Sequence, residues 1–367
     1  IEGTMATALF DSAIKFGAGR FRQEKGLIAN CGEEIQKFGK KILIISGPRA
    51  WCSVEDLLTK SLSDAGCTFH IEIYKGECSF EASKYFADIA KNFGAEEVVG
   101  VGGGRIMDLV KAVGDSCGCG VITIPTSIAT CAAFVSQSVM YTPEGKKDKT
   151  WRYNYEIDAC LLDLDVIANC PSRYTAAGIL DSMAKKIEIL NGRSGIDLNS
   201  SAIDTYLAYK LSKVTYDILL EDGVDAIKDA NKNEVTDKLT NVAFVNIPAT
   251  GLISNITRGS NQTALAHVIY DCARTLFSHE AAKSLHGEIV AIGLFCQLYY
   301  NGMYEEEANL KAFMSKLNMP LHLQDIGIEP TKNNLQMIEN YIVSSRHYNG
   351  TTDADRIKLS HAVHEMI

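Results

Sequence analysis

An α/β half followed by an all-helical half is the fold class that the sequence predicts, on three observations. Five strand-like apolar segments recur through the first 165 residues, with helix-like stretches between them. None follows Pro171. A glycine cluster, "VGGGR", stands where the third of these strands runs into a helix.

The strands come in order as "KILIIS" (41–46), "TFHIEIY" (68–74), "EEVVGV" (96–101), "GVITI" (120–124) and "ACLLDL" (159–164). They read as buried, because continuous apolar residues rather than alternating ones suit strands covered on both faces. Between the second and third, Phe86, Ile89, Ala90 and Phe93 fall on one helical face. Strand–helix alternation implies a mostly parallel sheet with helices on both sides. After Pro171 the segments 172–192, 199–221, 235–255, 287–303, 305–317 and 331–345 are all helix-periodic. The expected domains are 5–168, α/β, and 169–367, helical. A cleft between two such halves is a common place for an active site. Ile1–Thr4, ahead of Met5, reads as a cloning remnant.

Composition removes several function classes. With 46% hydrophobic and 22% charged residues the chain is globular rather than disordered. A formal charge of −9 leaves no basic footprint for nucleic acid. No apolar run approaches the roughly 20 residues that span a bilayer, and the start lacks a secretory signal, so a cytoplasmic location is expected. The eleven cysteines are odd in number and include no CxxC pair, which favours reduced thiols over disulfides or a cysteine zinc site.

Two constellations carry chemistry. In "VVGVGGGRIMD" a buried strand meets glycines and then a helix, whose first amides are unpaired and open to a phosphate. The pattern departs from GxGxxG, so a ligand-free tight turn is an equal reading. Asp108 falls in the first turn after the glycines, where a carboxylate suits the helix dipole. Arg105 can meet a phosphate or be solvated, and Lys111 on the same helix reads as structural. In the helical half, Asp181, His267 and His286 lie in three separate helical segments. A carboxylate and two imidazoles can converge on one divalent ion, although a helix Asp often caps and a core His often hydrogen-bonds.

"GVGGGRIMDLVKAV", "IPTSIATCAA…SVMYTPEG", "ANCPSRYTAAGILDSMAKKIE" and "LAHVIYD…SLHGEIVAIG" occur in that order. Together they resemble the glycerol dehydrogenase-like branch of the iron-containing alcohol dehydrogenase superfamily, over nearly the whole chain. The resemblance implies an N-terminal dinucleotide-binding domain and a helical metal-binding domain, an architecture shared with dehydroquinate synthase. It implies metal ligands at Asp181, His267 and His286. It puts the pyrophosphate turn at Gly103, Gly104 and Asp108, with Arg105 where a lysine is frequent. Thr126, Thr130 and Tyr141 become the nicotinamide side, and His347 falls on a position near the C-terminal part of the cleft, flanked by Arg346 and Tyr348.

Three departures sharpen what the resemblance implies. Lys185 stands where iron-type relatives carry a further histidine, so Zn²⁺ is expected over Fe²⁺, with three protein ligands and an open position. Cys131 begins Cys-Ala-Ala where polyol enzymes have Asp-Ala-Pro, so the aspartate that would grip a polyol is missing and Cys131 is a substrate-contact candidate. Gly47 replaces an acidic residue that would hold the adenosine ribose, and Arg49 follows closely, so NADP(H) is expected ahead of NAD(H). The branch most similar in "SIATCAA" and "SGPRAW" is the hydroxycarboxylate (2-oxoacid) dehydrogenases. Lys185, one helical turn from Asp181, would then balance a substrate carboxylate.

The expected function is a metal-dependent NAD(P)-linked alcohol dehydrogenase acting on a small 2-hydroxy acid or 2-oxo acid. Lys185 and His347 are its catalytic candidates. The alternative is an NAD-dependent glycerol or other polyol dehydrogenase. A dehydroquinate synthase-like lyase would need a dense basic cluster, and only "AKKIE" and Arg274 suggest one. A non-catalytic metal and dinucleotide binder is the last rival. By analogy with relatives the protein is a homo-oligomer, with no nucleic-acid or membrane partner.

Overall fold

Backbone groups stripped of water need partners, and the apolar strands find them in each other. The computed structural model describes residues 13–199, 201–259 and 261–367. Ile1–Thr4 and the start of the expected 5–168 domain lie outside the described residues. The strands are β1 (Arg20–Glu24), β2 (Lys41–Ser46), β3 (Thr68–Ile73), β4 (Glu97–Gly102), β5 (Gly120–Pro125), β6 (Gln137–Tyr141), β7 (Lys147–Arg152) and β8 (Ala159–Asp163). Six form one sheet in the order β1-β8-β5-β4-β2-β3, and β6 with β7 forms a separate two-stranded sheet. Every pairing in the large sheet is parallel.

The five strands expected from the sequence all form. β2, β4, β5 and β8 are almost wholly buried, as their apolar runs require. β3 differs: its "TFHIEI" is only half-buried, because it is an edge strand with one neighbour. β1, with the sequence "RFRQE", is the other edge and has no apolar run to announce it. Its Arg20 and Arg22 bind the buried carboxylate of Glu34 at 2.5 and 2.6 Å.

Five helices belong to this half, α1 (Cys31–Ile35), α2 (Pro48–Cys52), α3 (Glu55–Asp64), α4 (Phe80–Phe93) and α5 (Gly104–Cys117), and α6 (Leu164–Ala168) leads out of it. On one side of the sheet Ile42, Ile44, Val99, Val101, Ile122 and Leu161 join Trp51, Leu58 and Leu62 in a single apolar core. On α4, Phe86 and Ala90 are buried while Ile89 and Phe93 are half-buried, which is the face expected. After β2 the chain places β3 on one side and β4 on the other. That reversal is a topological switch point, where open α/β sheets bind ligands beyond the carboxyl ends of the strands.

The described chain divides into two compact units. One holds residues through 126 with 132–144 and 148–166; the other holds 127–131, 145–147 and 167–367. The second is helical: α7 (Ser172–Leu190), α8 (Ile203–Ala230), α9 (Asp237–Phe244), α10 (Thr250–Ile256), α11 (Leu265–Leu276), α12 (His286–Asn301), α13 (Tyr304–Lys316), α14 (Lys332–Ser344) and α15 (Asp353–His364). α12 is buried on nearly every side, against both α7 and α11. The stretch 235–255 is not one helix. Pro248 lacks an N–H, and the chain passes through a π-helical turn, Val245–Ala249, between α9 and α10. Among the described residues no helix is long and apolar enough to cross a membrane. All eleven cysteines are free.

Candidate functional site

The cofactor candidates of the α/β unit gather at the carboxyl ends of adjacent strands. Gly47 follows β2, Gly103 follows β4 and Thr126 follows β5, with Thr126 N donating to Gly102 O at 2.9 Å. Gly103 caps α5 in an extended conformation (φ −86°, ψ −175°), and no side chain caps that helix start. No side chain therefore occupies the first amides of α5, the groups a phosphate would use. At Gly47 a Cβ would meet nothing within 4 Å, so the space beside the first residue of α2 is open. Arg49 is exposed and has no ion pair among the described residues.

Two residues of this set are already engaged. Arg105 Nη1 pairs with Glu77 at 2.7 Å, on the surface. Asp108 is buried: Oδ1 lies 3.0 Å from Lys111 Nζ, and Oδ2 accepts from Val139 N at 3.1 Å. Lys111, fully buried, also donates to the carbonyls of Ala132 (2.7 Å), Val135 (3.1 Å) and Gln137. The structural role expected for Lys111 is therefore specific: it pins the segment that runs into β6. At the end of β6, Tyr141 N donates to Cys78 O at 2.8 Å.

In the helical unit Asp181, His267 and His286 come together. Each offers one ligand atom, and these atoms lie within 4.8 Å of one another. Asp181 Oδ1 is 3.2 Å from His286 Nε2 and 3.4 Å from His267 Nε2. One oxygen and two nitrogens from a carboxylate and two imidazoles are a donor set that can hold one divalent ion. Burial alone would raise the Asp181 carboxyl, but the charges of His286 and Lys185 and hydrogen bonds from both imidazoles hold it well below the usual range. Burial would lower His267, yet Glu188 lifts it above its ordinary value; burial leaves His286 below.

Close backbone packing places these ligands. A Cβ at Gly287, next to His286, would sit 1.9 Å from Ala177 O, so only glycine lets α12 start this close to α7. At Gly178 a Cβ would lie 1.9 Å from Ile128 O, which lets the 127–131 segment lie on α7 less than one turn from Asp181. Asn246, fully buried on the π-helical turn, donates to that same Ile128 O at 3.1 Å and accepts from Ser182 Oγ at 3.2 Å. Two arginines fix the approach to His286. Arg173 of α7 grips Glu288 at 2.5 and 2.6 Å, and Glu288 accepts from Leu285 N at 2.8 Å. Arg274 of α11 donates to the carbonyls of Ala281 (3.1 Å) and Ser284 (2.7 Å), so it is a loop clamp rather than part of a basic cluster. The Tyr270 ring stands edge-on to His286 at 4.1 Å.

The remaining candidates belong to this unit too. Lys185 is 3% exposed, yet no hydrogen bond or ion pair holds its ammonium among the described residues. Its charge acts on Asp181, Glu188, His267 and His286. His347 is half-buried, lowered by burial and by Arg346, and within electrostatic reach of Glu188 and His267. Its backbone carbonyl accepts from Asn191 Nδ2 at 2.9 Å. Cys131 is buried and Thr130 half-buried in the 127–131 segment. Sequence reasoning missed Glu188 and Asn246, and noted Arg274 only as a basic residue. Only Glu188 left a trace: with Asp181 and Lys185 it makes an i, i+4, i+7 stripe on α7.

Known proteins resemble this chain over most of its length. The family described as iron-containing alcohol dehydrogenase matches residues 18–163. A glycerol dehydrogenase of Citrobacter freundii is 31% identical over 271 residues, covering 72% of this chain and 71% of its own. The glycolaldehyde reductase of Halobacterium salinarum is 28% identical over 326 residues, covering 88% and 86%. Among solved structures, glycerol dehydrogenase from Schizosaccharomyces pombe superposes with a TM-score of 0.82 at 23% identity, covering 97% of this chain and 91% of that one.

Proposed function

Since the chain belongs to the glycerol dehydrogenase-like branch of the iron-containing alcohol dehydrogenase superfamily, we propose that it interconverts a small 2-hydroxy acid and its 2-oxo acid. Oxidoreductase chemistry on a CH–OH group follows from the family; the acid is our reading. One observation carries it: Lys185, 3% exposed and with no hydrogen bond or ion pair among the described residues, stands beside the Asp181–His267–His286 cluster. A substrate carboxylate would pair with Lys185.

Asp181, His267 and His286 would hold one divalent ion, and a donor set of one carboxylate and two imidazoles fits zinc. When bound, the ion supplies Lewis-acid polarisation of the substrate oxygen and the nicotinamide supplies or accepts the hydride. The chain's residues do the rest. Lys185 neutralises the carboxylate and orients the reacting carbon. The exposed start of α5 receives the pyrophosphate, once Arg105 turns from Glu77. Arg49 and the open space at Gly47 suit a 2′-phosphate, hence NADP(H). Thr126, Thr130 and Tyr141 would orient the nicotinamide. His347 would pass the proton, since its lowered pKa favours a neutral imidazole that can accept one.

The polyol reading rests on the relatives, which include a glycerol dehydrogenase and a glycolaldehyde reductase. Lys185→Met separates the two. Loss of one charged hydrogen bond costs about 1.5–3 kcal/mol, so kcat/KM for 2-oxobutyrate should fall about 10- to 100-fold while that for dihydroxyacetone holds. An equal effect on both substrates would return the protein to the polyol enzymes.

A further inference from the structure

Glu188 ends the stripe on α7 that begins at Asp181, two turns away. Its side chain is fully buried. Oε1 accepts from Ala264 N at 2.7 Å and from His267 N at 3.0 Å, the otherwise unpaired amides at the start of α11. Oε2 meets His267 Nδ1 at 2.5 Å. Ala264, which precedes α11, has no side-chain acceptor of its own. A carboxylate from another helix caps α11 in its place.

We propose that Glu188 is the positioning residue for His267, holding the proton on Nδ1 so that Nε2 presents its lone pair to the ion-binding position. Nε2 is the atom that faces Asp181 Oδ1 at 3.4 Å, and His286 Nε2 faces the same oxygen at 3.2 Å. An imidazole without an acceptor on Nδ1 divides between two tautomers, and the one carrying hydrogen on Nε2 cannot ligate. Because Oε1 caps α11 while Oε2 holds the ring, one side chain sets both where the helix starts and which way the ligand points. This rests on the reading of the three-residue cluster as a metal site, and it needs no particular substrate.

Glu188→Gln tests it sharply. The amide oxygen can keep both backbone N–H groups of α11, which turns the NH₂ toward Nδ1 and demands the wrong tautomer. Zinc affinity of the metal-free protein, read by competition with a chelator and without substrate, should fall about 10- to 100-fold. The melting temperature of the metal-free variant should stay within a few degrees of wild type. Glu188→Asp, which keeps the charge but shortens the reach, should lose less affinity than Gln and serves as the measure if the Gln variant does not fold. A folded variant, Gln or Asp, that binds zinc within twofold of wild type would show that Glu188 only caps α11. A wild-type protein that binds no zinc would overturn the metal reading itself, and the inference with it.

Discussion

Charge placement at single residues decides much of this protein's chemistry, and two buried groups show opposite solutions. Glu34 is surrounded by Arg20, Arg22 and Lys37, and after the cost of burial those cations hold its carboxyl down at about 2. Glu97, at the start of β4, has no ion pair among the described residues. Burial, then the charge of Asp158, push it up to about 8, and its Oε2 is buried without a hydrogen-bond partner. The folded state therefore favours the neutral acid, while the unfolded chain ionises near 4.5. Stability associated with Glu97 is complete below pH 4.5 and is lost as the pH rises toward 8. Glu97→Gln should raise the melting temperature more at pH 8 than at pH 5, as thermal unfolding at both values will show. An equal change at the two would mean that Glu97 is charged in the folded protein.

At the scale of elements, small residues determine how closely helices meet, and that closeness builds the metal cluster. Gly287→Ala places a Cβ 1.9 Å from Ala177 O, so α12 must retreat from α7 and carry His286 with it. Overpacking of this kind costs about 1–3 kcal/mol, and zinc affinity should drop alongside stability. Unchanged affinity in a destabilised variant would show that His286 is placed by Arg173 and Glu288 instead. Periodicity made the central strands, the glycine turn and the ligand-bearing helices legible, because strand burial and helical faces are local properties of sequence. β1 was not legible: its "RFRQE" is held by pairing with β8, far along the chain. Nor were the hydrogen bonds that Asn246 and Arg274 donate, which go to carbonyl oxygens that carry no residue type. The 235–255 segment looked like one helix because its apolar spacing survives the π turn that Pro248 introduces.

For the whole molecule, one unit carries a helix start that no side chain caps at the carboxyl ends of the strands, and the other carries the Asp181–His267–His286 cluster beside Lys185. Cys131 stands where a polyol enzyme carries an aspartate; in the reading we propose, Gly47 and Arg49 suit a 2′-phosphate and Lys185 suits a substrate carboxylate. The direct test is to strip the purified protein of metal, restore zinc, and follow NADPH and NADH absorbance with 2-oxobutyrate and with dihydroxyacetone. Our account predicts zinc-dependent oxidation of NADPH by 2-oxobutyrate, at a kcat/KM at least about tenfold above that for dihydroxyacetone. Zinc-dependent turnover of dihydroxyacetone with a preference for NADH would contradict it.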